Sequence, residues 1–207
     1  MNYYKWKSIL DFQLALVLLF ISSPILIIVS LLIKLEDPSG PVIFRQPRIG
    51  KNKRVFTLYK LRSMRVELYK DGKELSDSER MLRSGKFIRK TSLDELPQLV
   101  NILKGEMSFI GPRPLTVNYL PYYTERENQR HDIKPGISGW AQVNGRNSVN
   151  WEEKFELDLY YLDNMSINLD AKILFLTIKK VLTGCDIIES GQKTNQSFIE
   201  YRLNQKV

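Results

Sequence analysis

The sequence predicts an α+β protein: an N-terminal membrane helix that kinks without spanning, then a mainly helical cytosolic domain with a small β-sheet and interfacial amphipathic helices. Three observations carry this. Phe12 to Ile33 is almost wholly apolar yet interrupted at Ser22-Ser23-Pro24. Val55 to Ser63 alternates as a strand does. Several later segments carry apolar residues at helical spacing, and one of them, Asp170 to Leu182, has a composition that suits a core helix or one lying in the membrane interface.

At ~1.5 Å per residue, the roughly 22 residues of the first segment would form a helix of about 33 Å, just enough to cross a bilayer. A cleaved signal peptide fits poorly, because the apolar run continues past Pro24 and no small-x-small cleavage pattern follows. A simple span competes with a re-entrant helix that returns to its own face. Charge placement favours the return: Lys5 and Lys7 precede the segment, and Lys34, Arg45, Arg48, Lys51, Lys53 and Arg54 follow it. Positive charge marks the cytosolic side, and here it stands at both ends. Pro24 removes one backbone donor, and Ser22 and Ser23 can hydrogen-bond the groups that the break exposes. The expected divisions are a membrane-associated segment at 1–36, a catalytic domain at 37–185 and a loosely held polar tail at 186–207.

After Asp37-Pro38-Ser39-Gly40-Pro41, a turn cluster, the chain becomes soluble in character. Between Pro38 and Val66 it carries eight Lys/Arg and no acid, and the strand puts Lys60 and Arg62 on one face. Residues 67–78 read as a loop. A helix is expected over 79–90 with Met81, Leu82, Gly85 and Ile88 inward. Another runs from Ser92 to the Lys104-Gly105 stop, striped by Leu93, Leu96, Val100 and Leu103. Gly111-Pro112-Arg113-Pro114 is a stiff loop, 116–130 a Tyr-rich helix, and 134–147 a Gly-rich stretch of loop and strand. Helices are expected at 151–163 and 170–182.

The chain has 207 residues, enough for one real core, and a formal net charge of +8, which suggests an anionic partner. Cys185 is the only cysteine and His131 the only histidine. This excludes an internal disulfide and a Cys/His zinc site, and leaves a hard cation on carboxylates as the metal that could be held.

Ser92-Leu93-Asp94-Glu95-Leu96-Pro97 admits two readings. One is a capping box, Ser92 at the cap and Glu95 capping back, with Pro97 in tension with it. The other is chemical. Two adjacent carboxylates at a helix start are favoured in their ionised forms, and an ionised Asp is a competent nucleophile toward phosphorus. The pair also suits Mg²⁺ on a pyrophosphate. Arg113, fixed between two prolines, could bind phosphate bidentately or be a surface arginine. Lys60, Arg62 and Arg89 are phosphate ligands or a solvated basic face, and spacing alone leaves this open.

The string from Ser92-Leu-Asp-Glu-Leu-Pro through Lys104-Gly-Glu-Met-Ser-Phe-Ile-Gly-Pro-Arg-Pro114 resembles the signature of the bacterial sugar transferases, the small monotopic phosphoglycosyl transferases. The likeness covers most of the chain: Ser23-Pro24 is similar to the family's re-entrant break, Phe56 to Met64 to its basic strand, and Lys134-Pro-Gly-Ile-Ser-Gly to Asn147 to its Gly-rich segment. One departure is Asp11-Phe12, where a small residue is more usual. Because membrane residues come almost first, the chain resembles the minimal members.

The resemblance implies transfer of a sugar phosphate from a UDP-sugar to polyprenyl phosphate at the inner membrane, with the domain facing the cytosol. It implies Asp94 as nucleophile, Glu95 as its partner for Mg²⁺ or a proton, and Lys60, Arg89, Arg113 and Arg146 near the donor's phosphates. Asp158 and Asp170 fall in scaffold helices without an assigned role. Membrane lipids are expected partners, a homodimer is left open, and nucleic acid is not expected. The rivals are a basic nucleic-acid binder, which has no use for Asp94, and a noncatalytic membrane scaffold, which could lose the dyad freely.

Overall fold

The computed structural model describes residues 3–70, 72–144, 150–183 and 197–205. The first element, α1 (Tyr3–Glu36), is one continuous helix with Pro24 inside it. Pro24 cannot donate to the carbonyl of Phe20. Ser23 Oγ donates to that carbonyl instead, at 2.8 Å, and Ser22 Oγ reaches Leu19 O at 3.4 Å. Ser23 thus compensates the break, Ser22 bonds a carbonyl that the proline does not free, and the helix runs on through Pro24.

α1 is not a free anchor. Its buried residues, Lys7, Asp11, Ala15, Ser22, Val29 and Ile33, form a stripe along the helix. Ala15 packs with Phe56, Leu58, Leu99, Ile102 and Met107; Val29 and Ile33 pack with Leu61, Leu82 and Ile88. The remaining faces are bare and apolar, with Phe20 81% and Leu35 82% exposed. Such an exposed apolar face is costly in water and fits a lipid surroundings.

The soluble part begins with the antiparallel hairpin β1 (Ile43–Ile49) and β2 (Val55–Leu61), in register Phe44 to Lys60. Its turn puts Asn52 and Lys53 at positive φ. A short ladder, β3 (Tyr69–Lys70) with β4 (Lys73–Glu74), follows. The helix expected at 79–90 is two helices, α2 (Asp77–Arg80) and α3 (Arg83–Lys90), because Met81 and Leu82 turn extended and Leu82 plunges into the core. Gly85 packs so close to β2's exit that a Cβ there would lie 2.0 Å from Ser63 O. No other residue allows this approach, and it brings α3 beside the strand.

The helix expected from Ser92 starts later. Ser92 is left-handed (φ 56°), residues Leu93–Glu95 form one 3₁₀ turn, and α4 (Gln98–Leu103) begins only after Pro97. Ser92 makes no cap bond, so the capping-box reading is overturned. β5 (Ser108–Ile110) pairs in parallel with β6 (Gly136–Ser138). The expected 116–130 helix is instead a 3₁₀ stretch Val117–Tyr122 containing Pro121, then α5 (Glu125–Asn128) and a further 3₁₀ turn. The proline and the fresh cap at Thr124 account for the break. α6 (Trp140–Asn144) lies in the Gly-rich stretch. α7 (Trp151–Asp163) and α8 (Ile167–Thr183) match expectation, α8 starting three residues early. Part of the expected loose tail is ordered: α9 (Phe198–Asn204) buries Phe198 fully among Tyr119, Tyr123, Trp151 and Phe155.

Candidate active site

The bottom of the site is the exit of β2 against the 3₁₀ turn. Asn101 on α4, the helix that follows this turn, is fully buried and ties α4 to β2. Its amide donates to Thr57 O and Glu106 Oε2, each at 2.7 Å, and its oxygen accepts from Tyr59 N at 3.2 Å. Lys60, the next residue on the strand, therefore meets the turn. Its ammonium lies 2.9 Å from Glu95 Oε1 and 3.5 Å from Asp94 Oδ2. All three side chains are 15–23% exposed. Burial pushes the Asp94 carboxyl above the ordinary range, opposed by Lys60 and, more weakly, by Arg89, while Glu95 adds to the rise. The helix-dipole argument made for the dyad is therefore not what governs it: desolvation dominates, and lysine is the counterweight. Arg89 is held at the rim, with Nε donating to Ser63 Oγ at 2.9 Å.

Arg113 stands on a pinned loop. Gly111 N donates to Ser138 O at 2.9 Å and Gly136 N to Pro112 O at 3.0 Å; Arg130 Nη2 donates to Arg113 O at 2.8 Å. Gly111 and Gly136 cross so tightly that a Cβ on Gly136 would lie 2.1 Å from Gly111 N. Arg130 is itself fixed by Asp158 Oδ2, at 3.0 Å from Nε and 2.7 Å from Nη2, deep in the core. Asp158 thus acquires a role: it holds the arginine that holds the Arg113 loop. Asp170 acquires another. It accepts from Lys7 Nζ (2.6 Å), Tyr3 Oη (2.8 Å) and Tyr161 Oη (2.6 Å), tying the start of α1 to α7 and α8.

Lys60, Arg89, Asp94, Glu95 and Arg113 all line one cavity of about 1240 Å³. Leu18, Ile21, Ser22 and Ile25 of α1, around the proline break, line it too. Ser23 and Pro24 lie outside this lining. Arg146 lies outside the described residues. Arg62 faces the cavity but is neither phosphate ligand nor solvated face: it is buried against Asp37, with Nη1 2.6 Å from Oδ2. His131 is no acid–base candidate; burial beside Arg130 depresses it to about 3, so it is neutral at physiological pH. Among the described residues no cluster of three or more His, Cys, Asp or Glu side chains could by itself hold a metal. The hard oxygen donors of Asp94 and Glu95 suit Mg²⁺ only if a ligand's oxygens complete the shell.

Sequence reasoning missed Asn101, Ser63 and Arg130. Only Asn101 left a signal, as a polar residue inside the apolar run Leu99-Val100-Asn101-Ile102-Leu103.

Residues 2–184 match the bacterial sugar transferase family. The chain is 48% identical over 93% of its length to an uncharacterised sugar transferase, EpsL, of Bacillus subtilis, and spans 95% of that protein. It is 42% identical to the UDP-N-acetylgalactosamine-undecaprenyl-phosphate N-acetylgalactosaminephosphotransferase of Aeromonas hydrophila, over 86% of this chain and 44% of the relative. To the UDP-glucose:undecaprenyl-phosphate glucose-1-phosphate transferase of Escherichia coli the figures are 43%, 82% and 39%. The chain thus spans less than half the length of these two named transferases.

Proposed function

The chain belongs to the bacterial sugar transferase family, and from that premise we propose that it transfers a sugar 1-phosphate from a UDP-sugar to polyprenyl phosphate, releasing UMP. The observation that supports this best is the cavity: a carboxylate pair with its lysine shares one space with the bare apolar helix α1. A water-soluble phosphosugar and a lipid phosphate could meet there.

In the proposed reaction an Asp94 oxygen bonds to the donor's β-phosphorus. The bond from that phosphorus to the bridging oxygen breaks, and its electron pair leaves on UMP. The acceptor's phosphate oxygen then bonds to the same phosphorus and frees the Asp94 carboxylate. Lys60 keeps Asp94 ionised against its burial, and Arg89 and Arg113 orient phosphates. Glu95 and Asp94 would hold Mg²⁺, which would neutralise pyrophosphate charge when bound. The test is UMP release with a panel of UDP-sugars. Wild-type protein should turn over one or more, stop in EDTA, and accumulate a phosphosugar on Asp94 by mass spectrometry when the acceptor is withheld. Asp94→Asn should be inert. A label on another residue, or an active Asp94→Asn, removes the assignment, and full activity in EDTA removes the metal.

We read α1 as re-entrant, both ends cytosolic and the site facing inward. Support comes from its ends. Near one, Asp11 Oδ2 accepts from Ser108 Oγ (2.6 Å); at the other, Glu36 accepts from Arg83 N and Ser84 N (2.6 and 2.9 Å). Both tie to the same domain, which a helix crossing to the far side could not do. Cysteines placed by Lys5→Cys and Pro38→Cys, with Cys185 replaced, should both be shielded from an impermeant thiol reagent in intact cells. Labelling at position 5 alone would establish a span.

A further inference from the structure

The geometry points to a donor-binding residue outside the dyad: Lys154 on α7, paired with Arg113, receives the phosphate of the departing UMP, with the Trp151 ring as its platform. This rests on the reading above and assigns its leaving-group site.

Asp94, Glu95, Lys60 and Arg89 form one electrostatic group, in which cations and carboxylates answer each other. Arg113 belongs to a second. Near it are Arg48 and Lys154, both cations, and both are held below their ordinary range by burial first and by Arg113 second. Among the described residues none of these three makes an ion pair with a carboxylate. Arg48 Nη2 donates to Gln46 Oε1 at 2.6 Å and its buried Nε has no partner. Lys154 Nζ lies 4.7 Å from the centre of the Trp151 ring. Arg113, Lys154 and Trp151 line the cavity; Arg48 is outside its lining.

Arg48 and Lys154 are half-buried and Arg113 is exposed, and cations gathered without an acid cost free energy in an empty protein, most where they are buried. A dianion entering the cavity removes that cost, and a phosphate that gains charge as its bridging bond breaks removes more of it. The position is also built to hold still. Trp151 packs at 5.2 Å from the fully buried Phe198 of α9 and at 5.9 Å from Phe155. Asn150 caps α7 through Glu153 N, so Lys154 projects from a closed helix start.

The proposed reaction has two half-reactions, so kinetics can separate donor from acceptor effects. The variant is Lys154→Met, which keeps the stem over Trp151 and removes the charge. It should lower kcat/KM for the UDP-sugar by about tenfold and weaken UMP product inhibition in step. kcat/KM for polyprenyl phosphate should stay within about twofold, since the second half-reaction begins after UMP has left. Lys154→Arg should recover most of the loss. An unchanged donor kcat/KM in Lys154→Met overturns the inference, and so does a loss confined to the acceptor. Both outcomes leave the transferase reading intact, because wild-type turnover is measured alongside. Absence of UMP release by wild type would overturn the reading itself.

Discussion

Two ionic groups face the same cavity and are built oppositely. Arg130 and Asp158 are matched one to one, side chains only 3–4% exposed, with two nitrogens on one carboxylate oxygen. Lys60 is one ammonium before two carboxylates, and the group stands half-open to the cavity. The closed pair is committed to placing a loop; the open group keeps electrostatic room for a ligand. The difference shows how a small domain separates rigidity from openness: one ion pair is buried and spent on placing a loop, the other group is left facing the cavity.

The comparison breaks most visibly at the closed pair. Asp158→Ala strands a buried guanidinium, which costs about 3–5 kcal/mol. For a chain of this size that is a fall of roughly 10 °C in the thermal midpoint, measurable in detergent by circular dichroism. A midpoint within a degree of wild type would mean the pair is not a structural keystone. At the open group the effect is on pH. Lys60→Met removes the cation that opposes burial at Asp94, whose carboxyl already lies above its ordinary range. The acid limb of donor kcat/KM should therefore move to higher pH, because more alkaline solution is needed to ionise Asp94, the proposed nucleophile. A limb that stays put, or moves lower, contradicts the assigned counterweight. The smallest effect belongs to the exposed pair Arg126–Glu156, at 2.8 Å but solvated. Arg126→Ala should leave the midpoint unchanged, and a clear drop would show that exposure is a poor guide to what a pair contributes here.

Legibility in the sequence followed local physics closely. Strand β2 and helices α7 and α8 were readable because each carries its own periodicity. The 79–90 and 116–130 segments look unbroken in sequence, since Leu82's pull into the core is tertiary and the Thr124 cap starts a new helix inside an otherwise continuous pattern. The sharpest case is one spelling with two outcomes. Ser76 with Glu79, Thr124 with Glu127, Asn150 with Glu153 and Ser197 with Glu200 all form reciprocal caps. Ser92 with Glu95 has the same spacing and forms none: Ser92 turns left-handed, Pro97 delays the helix, and Glu95 meets Lys60. The motif resemblance, not the cap pattern, marked that position. Arg130, Ser63 and the loop bonds around Arg113 were unreadable because their partners lie far off in sequence.

The stripe by which α1 joins the domain bears on how the protein is made. Lys7 leaves the ribosome 163 residues ahead of Asp170, its partner. Ala15, Val29 and Ile33 likewise precede the side chains that will cover them. The helix must therefore stand without its partners until the rest of the chain arrives, Lys7 answered meanwhile only by Asp11 one turn on. Cutting α1 away would not release a smaller soluble enzyme, because it would remove one wall from several clusters at once. One helix thus serves two surfaces: the face that meets the domain completes its clusters, and the opposite apolar face is left for lipid.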